Sequence, residues 1–148
     1  MRLLEDTKLH DRVISGFAMP PRGDLARILL TIGDDNGDPL KDLDSVLIDD
    51  LYAVEINHFS ELNIISEIYW AVIYGPDLPE VFDRAQSQGC SSFPLGGPKT
   101  IESLMKMDEP FLYFETHPVC GAEITILCED ALLSTRAGEQ APLFRRQI

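Results

Sequence analysis

The spacing of apolar and polar residues along this chain predicts one domain built mainly of strands. Leu25 to Ile32 (LARILLTI) has the aliphatic density of a buried strand. Tyr52 to Ile56 alternates, and Ile68 to Tyr74 (IYWAVIY) is apolar on both faces, as a central strand is, so these two are expected to pair. Between them, His58 to Glu67 fits either a short helix capped by Ser60 or an early start of the second strand. Phe111 to Thr116 and Ala122 to Cys128 read as strands around the turn His117-Pro118-Val119-Cys120-Gly121, which is a hairpin signal.

Helical signals are fewer. Asp77-Leu78-Pro79-Glu80 has the order of a capping box, with Val81, Phe82 and Ala85 facing inward until Gly89 ends the helix. Asp38-Pro39 is an N-cap and first-turn pair for a second helix running to about Leu51. Its inner face would carry Leu40, Leu43, Leu47 and Leu51. Asp42, Asp49 and Lys41 would point outward, with Asp44 and Asp50 on the flanks. Thr100 caps a short helix through Lys106, and Cys90 to Lys99, rich in Pro and Gly, forms the longest loop. No repeat or flexible linker divides residues 1–148, which are expected to form a single domain, with residues 134–148 as a poorly ordered basic tail. The fold class expected is α+β: one domain, a mainly antiparallel sheet with a few short helices packed on it.

Composition narrows the function. A chain of 148 residues buries roughly 68–70% of its unfolded surface and needs neither disulfides nor metal for stability, so no cofactor is implied. Twelve Lys and Arg against 25 Asp and Glu give a formal charge of -13. That balance argues against direct binding of nucleic acid or anionic lipid, both of which require clustered cations. The longest apolar tract is far short of the roughly 20 residues of a membrane-spanning helix. Charged residues interrupt the first thirteen positions (MRLLEDTKLHDRV), where a signal peptide is apolar. Cys90, Cys120 and Cys128 cannot all pair within one chain, and reduced thiols in a cytoplasmic protein are the expected state.

The charge is unevenly distributed. Residues 28–83 carry thirteen acids against the single Lys41, and seven of those acids (Asp34, Asp35, Asp38, Asp42, Asp44, Asp49, Asp50) fall within seventeen residues. Acidic surfaces also serve solubility alone. Here, however, the acids intersperse with Leu40, Leu43, Val46, Leu47 and Leu51, the composition of an ordered amphipathic segment and not of a disordered acidic tail.

Other constellations are incomplete. Gly96-Gly97-Pro98-Lys99-Thr100 resembles the end of a phosphate-binding loop, but Pro98 removes a backbone donor and Phe93 stands at the upstream glycine position. Asp34, Asn36 and Asp38 have calcium-loop spacing, but the sixth position is Pro39 and the twelfth is Ser45. His117, Cys120 and Cys128, with His58 or Glu61, could supply zinc ligands only if the fold gathers them, and Cys128 reads equally as a core residue. A nucleophilic Cys90 or Cys120 with His58 or His117 as base is opposed by the surrounding carboxylates, which raise a thiol pKa. Arg22-Gly23-Asp24 reads as a turn.

The expected role is a non-catalytic acidic inhibitor that covers a cationic protein surface. An immunity protein neutralising a bacterial nuclease toxin, or a phage protein blocking a host defence complex, would act in this way. The contact residues expected are Asp34, Asp35, Asp38, Asp42, Asp49 and Asp50, with Tyr52 and Phe59 as aromatic anchors. The alternatives are a small enzyme using His58, Glu61, His117 or Cys120, with or without a metal, and a homodimer that covers an apolar sheet edge.

Overall fold

The computed structural model describes residues 1–18, 27–34, 44–90 and 101–144, with backbone only at 27, 28 and 34. The chain forms strands β1 (Leu4–Asp6), β2 (Arg12–Ala18), β3 (Arg27–Asp34), β4 (Asp44–Asn57) and β5 (Ile64–Ile73). Helices α1 (Leu78–Ser87) and α2 (Ile101–Met105) follow, then β6 (Phe111–Cys120), β7 (Glu123–Ser134) and β8 (Gln140–Pro142). All pairings are antiparallel, in the order β1-β5-β2-β3-β4-β7-β6, and β5 also pairs with β6. Strands β5, β2, β3, β4, β7 and β6 therefore close a six-stranded barrel, with β1 sharing the β2 edge of β5 and β8 pairing with the far end of β7. The single, mainly antiparallel domain with short helices packed on it is as expected; the sheet closes into a barrel, and the fold is more sheet-dominated than an α+β arrangement.

Alternation explains the interior. Leu30 and Ile32, Val46 and Ile48, Ile68 and Trp70, Leu112 and Phe114, and Ile124 and Ile126 all enter one core cluster, two residues apart on each strand. Ile68 to Tyr74 is apolar on both faces because its other side lies beneath the helices. Ala71, Ile73, Phe111, Tyr113 and Leu127 pack there with Leu78, Val81 and Ala85 of α1 and Leu104 of α2. The turn Gly75–Asp77 leads into α1, and Asp77 accepts the Tyr74 N–H (2.9 Å) through Oδ2 instead of capping α1 with its side chain. A Cβ on Gly75 would lie 2.3 Å from the Met105 carbonyl oxygen, so only glycine allows this turn to pass α2. Gly89, with φ +88°, follows the end of α1 as expected.

Several expectations change. Tyr52–Ile56 lies in β4, which pairs with β3 and β7 and not with β5, and His117–Cys120, expected as turn, continue strand β6. The helix expected to run to Leu51 is strand β4 from Asp44 onward: Val46, Ile48, Val54 and Ile56 face the core at a spacing of two, and β-branched residues favour that pleated surface over a helix. The segment between β4 and β5 is a turn followed by the early start of β5 at Ile64, not a helix. The expected tail from 134 is ordered through residue 144. β8 pairs with β7, while Leu143 and Phe144 are 2% exposed, Phe144 stacking on Trp70 (centroids 5.0 Å, 19°) and meeting Phe114 at 5.2 Å. Two consecutive apolar residues outweigh the tail's basic composition because their burial contributes several kcal/mol, about 1.5–3 each.

Candidate functional site

Two clusters of charged side chains stand out, on different parts of the barrel. The first is the acidic stretch of β4. Ile48 and Leu51 both belong to the core, as do their register partners Ala131 and Cys128 on β7. Simple alternation would send residues three apart to opposite faces. Both strands therefore switch face together, and the intervening residues, Asp49 and Asp50 on β4 and Glu129 and Asp130 on β7, are all at least partly exposed. Asp50 makes the switch with φ +46°, a left-handed conformation that Asp tolerates better than most residues.

Four carboxylates are thus gathered from two strands far apart in sequence. Asp49 stands in register between Asp130 on β7 and Arg27 on β3, so a like charge, which is unfavourable, and an opposite charge, which is favourable, flank it. The orientation of the two aspartates is held locally: Asp130 Oδ1 accepts the Ala131 N–H (2.9 Å), and Asp49 Oδ1 the Asp50 N–H (3.3 Å). Tyr52 lies just beneath. Burial first, and then the charges of Glu129 and Asp50, push its hydroxyl up to about 12.

The predicted contact residues divide accordingly. Asp49 and Asp50 come together, joined by Glu129 and Asp130. Those two were not singled out from the sequence because only the β4–β7 register reveals their proximity. Tyr52 is corrected: it is the extra residue of the bulge between Leu51 and Ala53, 1% exposed and edge-on to Phe111 (5.5 Å), so it cannot anchor a partner. Phe59 is 44% exposed, edge-on to the equally exposed Phe17 at 5.5 Å. Asp35, Asp38 and Asp42 lie outside the described residues, and Asp34 is described only as the backbone end of β3, in register with Arg12. Asp44 is neutralised by Arg12, whose Nη2 donates to Oδ2 at 2.9 Å.

The second cluster lies on the helix side. Glu55, Thr125, Glu115 and Tyr69 form one register row across β4, β7, β6 and β5. Glu115 is 2% exposed and accepts from Arg84 Nε (2.8 Å) and Nη2, from Tyr113 OH (2.6 Å) and from His117 Nε2 (3.1 Å). Burial alone would raise the Glu115 pKa; the hydrogen bonds from Arg84, Tyr113 and His117 together hold it below the ordinary carboxylate value. Beside it opens a cavity of about 30 Å³ lined by residues including Asn57, Gln88, Cys90, His117 and Glu123, space for about one water molecule. The Cys90 thiol donates to Thr125 Oγ1 (3.4 Å). Burial, then its hydrogen bond with Glu55, pushes it up to about 11, which favours the protonated thiol at neutral pH.

Among the described residues, the candidate zinc and Cys–His side chains point to different places. Cys128 faces the barrel core, whereas His117 is partly exposed and edge-on to Tyr69 (5.1 Å), with its Nε2 on Glu115. Cys120 is exposed near the hairpin turn, with its thiol towards the Leu62 carbonyl oxygen (3.7 Å). Among the described residues, no group of three His, Cys, Asp or Glu side chains is arranged to hold a metal ion, and no helix is long and apolar enough to cross a membrane. No protein-family model matches the chain, and comparison with curated proteins and with solved structures likewise finds no match.

Proposed function

We propose that this chain is a non-catalytic binding protein whose acidic corner, Asp49, Asp50, Glu129 and Asp130, covers a cationic surface of another protein. The observation that carries this reading is the paired face switch of β4 and β7, which presents four carboxylates from a closed barrel in one place. Asp49 stands in register with Asp130 on one side and with Arg27 on the other, so the corner keeps a net negative charge that a cationic partner would complement. Cations displayed for holding phosphate, as on a nuclease toxin or a nucleic-acid-handling defence complex, are the counterpart such a surface suits. An immunity protein or an anti-defence protein would act in this way, with long-range attraction accelerating encounter.

The test is the association rate with basic nucleases, measured by surface plasmon resonance at low and high salt. The expected result is a fall of about tenfold or more with salt, and a comparable loss in the Asp130→Asn/Glu129→Gln variant at low salt. Asp130→Asn alone is expected to leave the fold intact. A rate indifferent to salt and to both substitutions refutes the proposal.

A further inference from the structure

The helix side of the barrel holds a cavity that the acidic corner does not use. Its floor includes Cys90, Glu115 and Thr125, all buried, with the Cys90 thiol donating to Thr125 Oγ1 (3.4 Å). Its rim includes Asn57, Gln88 and Glu123, all half-buried, so the cavity meets solvent there. Three elements build that rim: Asn57 ends β4, its register partner Glu123 begins β7, and Gln88 caps the C-terminus of α1. The volume, about 30 Å³, admits one water-sized group.

The lining selects the charge of an occupant. Two carboxylates, Glu115 and Glu123, border the cavity, and the C-terminus of the ten-residue α1 adds the negative end of a helix dipole. The Arg84 guanidinium is turned onto Glu115, where Nε and Nη2 donate to the same oxygen, so its charge offsets Glu115. Among the described residues no ion pair reaches Glu123. An anion is therefore repelled. A metal ion lacks ligands, since no three His, Cys, Asp or Glu side chains among the described residues are arranged to hold one. The acceptors the rim can offer are the side-chain oxygens of Glu123, Asn57 and Gln88. A protonated primary amine brings three N–H donors and one charge in a compact head, whereas a guanidinium is a wider planar fork. Only such a head fits the volume, and its carbon chain must leave through the rim.

We infer that this cavity is a binding site for a primary alkylammonium head, that of a lysine side chain or of a free alkylamine, with Glu123 as its counter-charge and Asn57 and Gln88 as further acceptors. The site stands on a different part of the barrel from the acidic corner, so neither reading depends on the other.

The probe is n-butylammonium chloride, titrated into the ¹⁵N-labelled full chain against butylguanidinium chloride and sodium chloride at equal ionic strength. The expected result is a saturable shift of the amides of Asn57, Gln88, Cys90 and Glu123, with butylammonium bound about tenfold more tightly than butylguanidinium. Glu123→Gln, which keeps the shape and removes the charge, weakens butylammonium by about tenfold as well. N-acetyl-lysine N-methylamide separates the two sources: binding as tight as that of butylammonium assigns the site to a lysine side chain, and weaker binding assigns it to a free amine. Equal shifts with sodium chloride or butylguanidinium leave the cavity to water and overturn the inference, whether or not the variant folds. Binding unchanged by Glu123→Gln, or shifts confined to Asp49, Asp50, Glu129 and Asp130, overturns it as well.

Discussion

Arg84→Met removes the only Arg or Lys among the described donors to the buried Glu115. Glu115 is 2% exposed and Arg84 31% exposed. The variant keeps the aliphatic stem but leaves a carboxylate in a low-dielectric site with only Tyr113 and His117 as side-chain donors. Removing one partner of a buried ion pair costs about 3–5 kcal/mol, and because Arg84 is partly solvated the loss expected is near the lower end, about 3 kcal/mol at pH 7. The pH dependence separates this mechanism from lost packing. In the native chain the Glu115 pKa is depressed, so its contribution is fully present above the unfolded-state pKa and is lost as pH falls through the lower folded value. In the variant the largest lowering partner is gone, so the folded pKa moves up relative to the native chain. The penalty is then largest at neutral pH and shrinks as falling pH protonates the carboxyl. Urea unfolding followed by the fluorescence of Trp70, the single tryptophan, measures both. A loss below about 1 kcal/mol at pH 7, or an equal loss at pH 4 and pH 7, would refute the reasoning.

Three further outcomes are expected. Gly121→Ala forces a side chain onto φ +84° with its Cβ 2.4 Å from the Leu62 carbonyl oxygen and 2.5 Å from Asn63 Oδ1; a loss of about 2 kcal/mol or more is expected in urea unfolding, and a neutral result contradicts the hairpin geometry. Phe144→Ala opens a cavity against Trp70 and Phe114 and should cost about 3–5 kcal/mol, whereas a loose tail would show no change. In native thiol labelling at pH 7.5, exposed Cys120 should react quickly and Cys90, with its thiol pushed up to about 11, only on unfolding; equal rates would contradict the burial of Cys90.

Residues 1–148 by themselves determined the single mainly antiparallel domain, the strand character of Arg27–Ile32 and Ile68–Ile73, the pairing of β6 with β7 and helix α1, because alternation, β-branching and turn glycines act over a few neighbouring residues. They also determined a concentration of negative charge in 28–83. Closure into a barrel was decided by the pairing of β5 with both β2 and β6, a long-range register with no local signature. The same holds for β4: leucines at 40, 43, 47 and 51 satisfy a helical spacing, and only the core on one side chose Val46, Ile48, Val54 and Ile56 at a spacing of two instead. Tyr52 illustrates the cost of that ambiguity, since an aromatic beside aspartates reads as a surface anchor until a bulge turns it inward. Glu129 and Asp130 show the converse. They are unremarkable in sequence and become half of the acidic corner because hydrogen bonding between strands sets Asp49 and Asp130, 81 residues apart, side by side, which proximity along the chain does not encode.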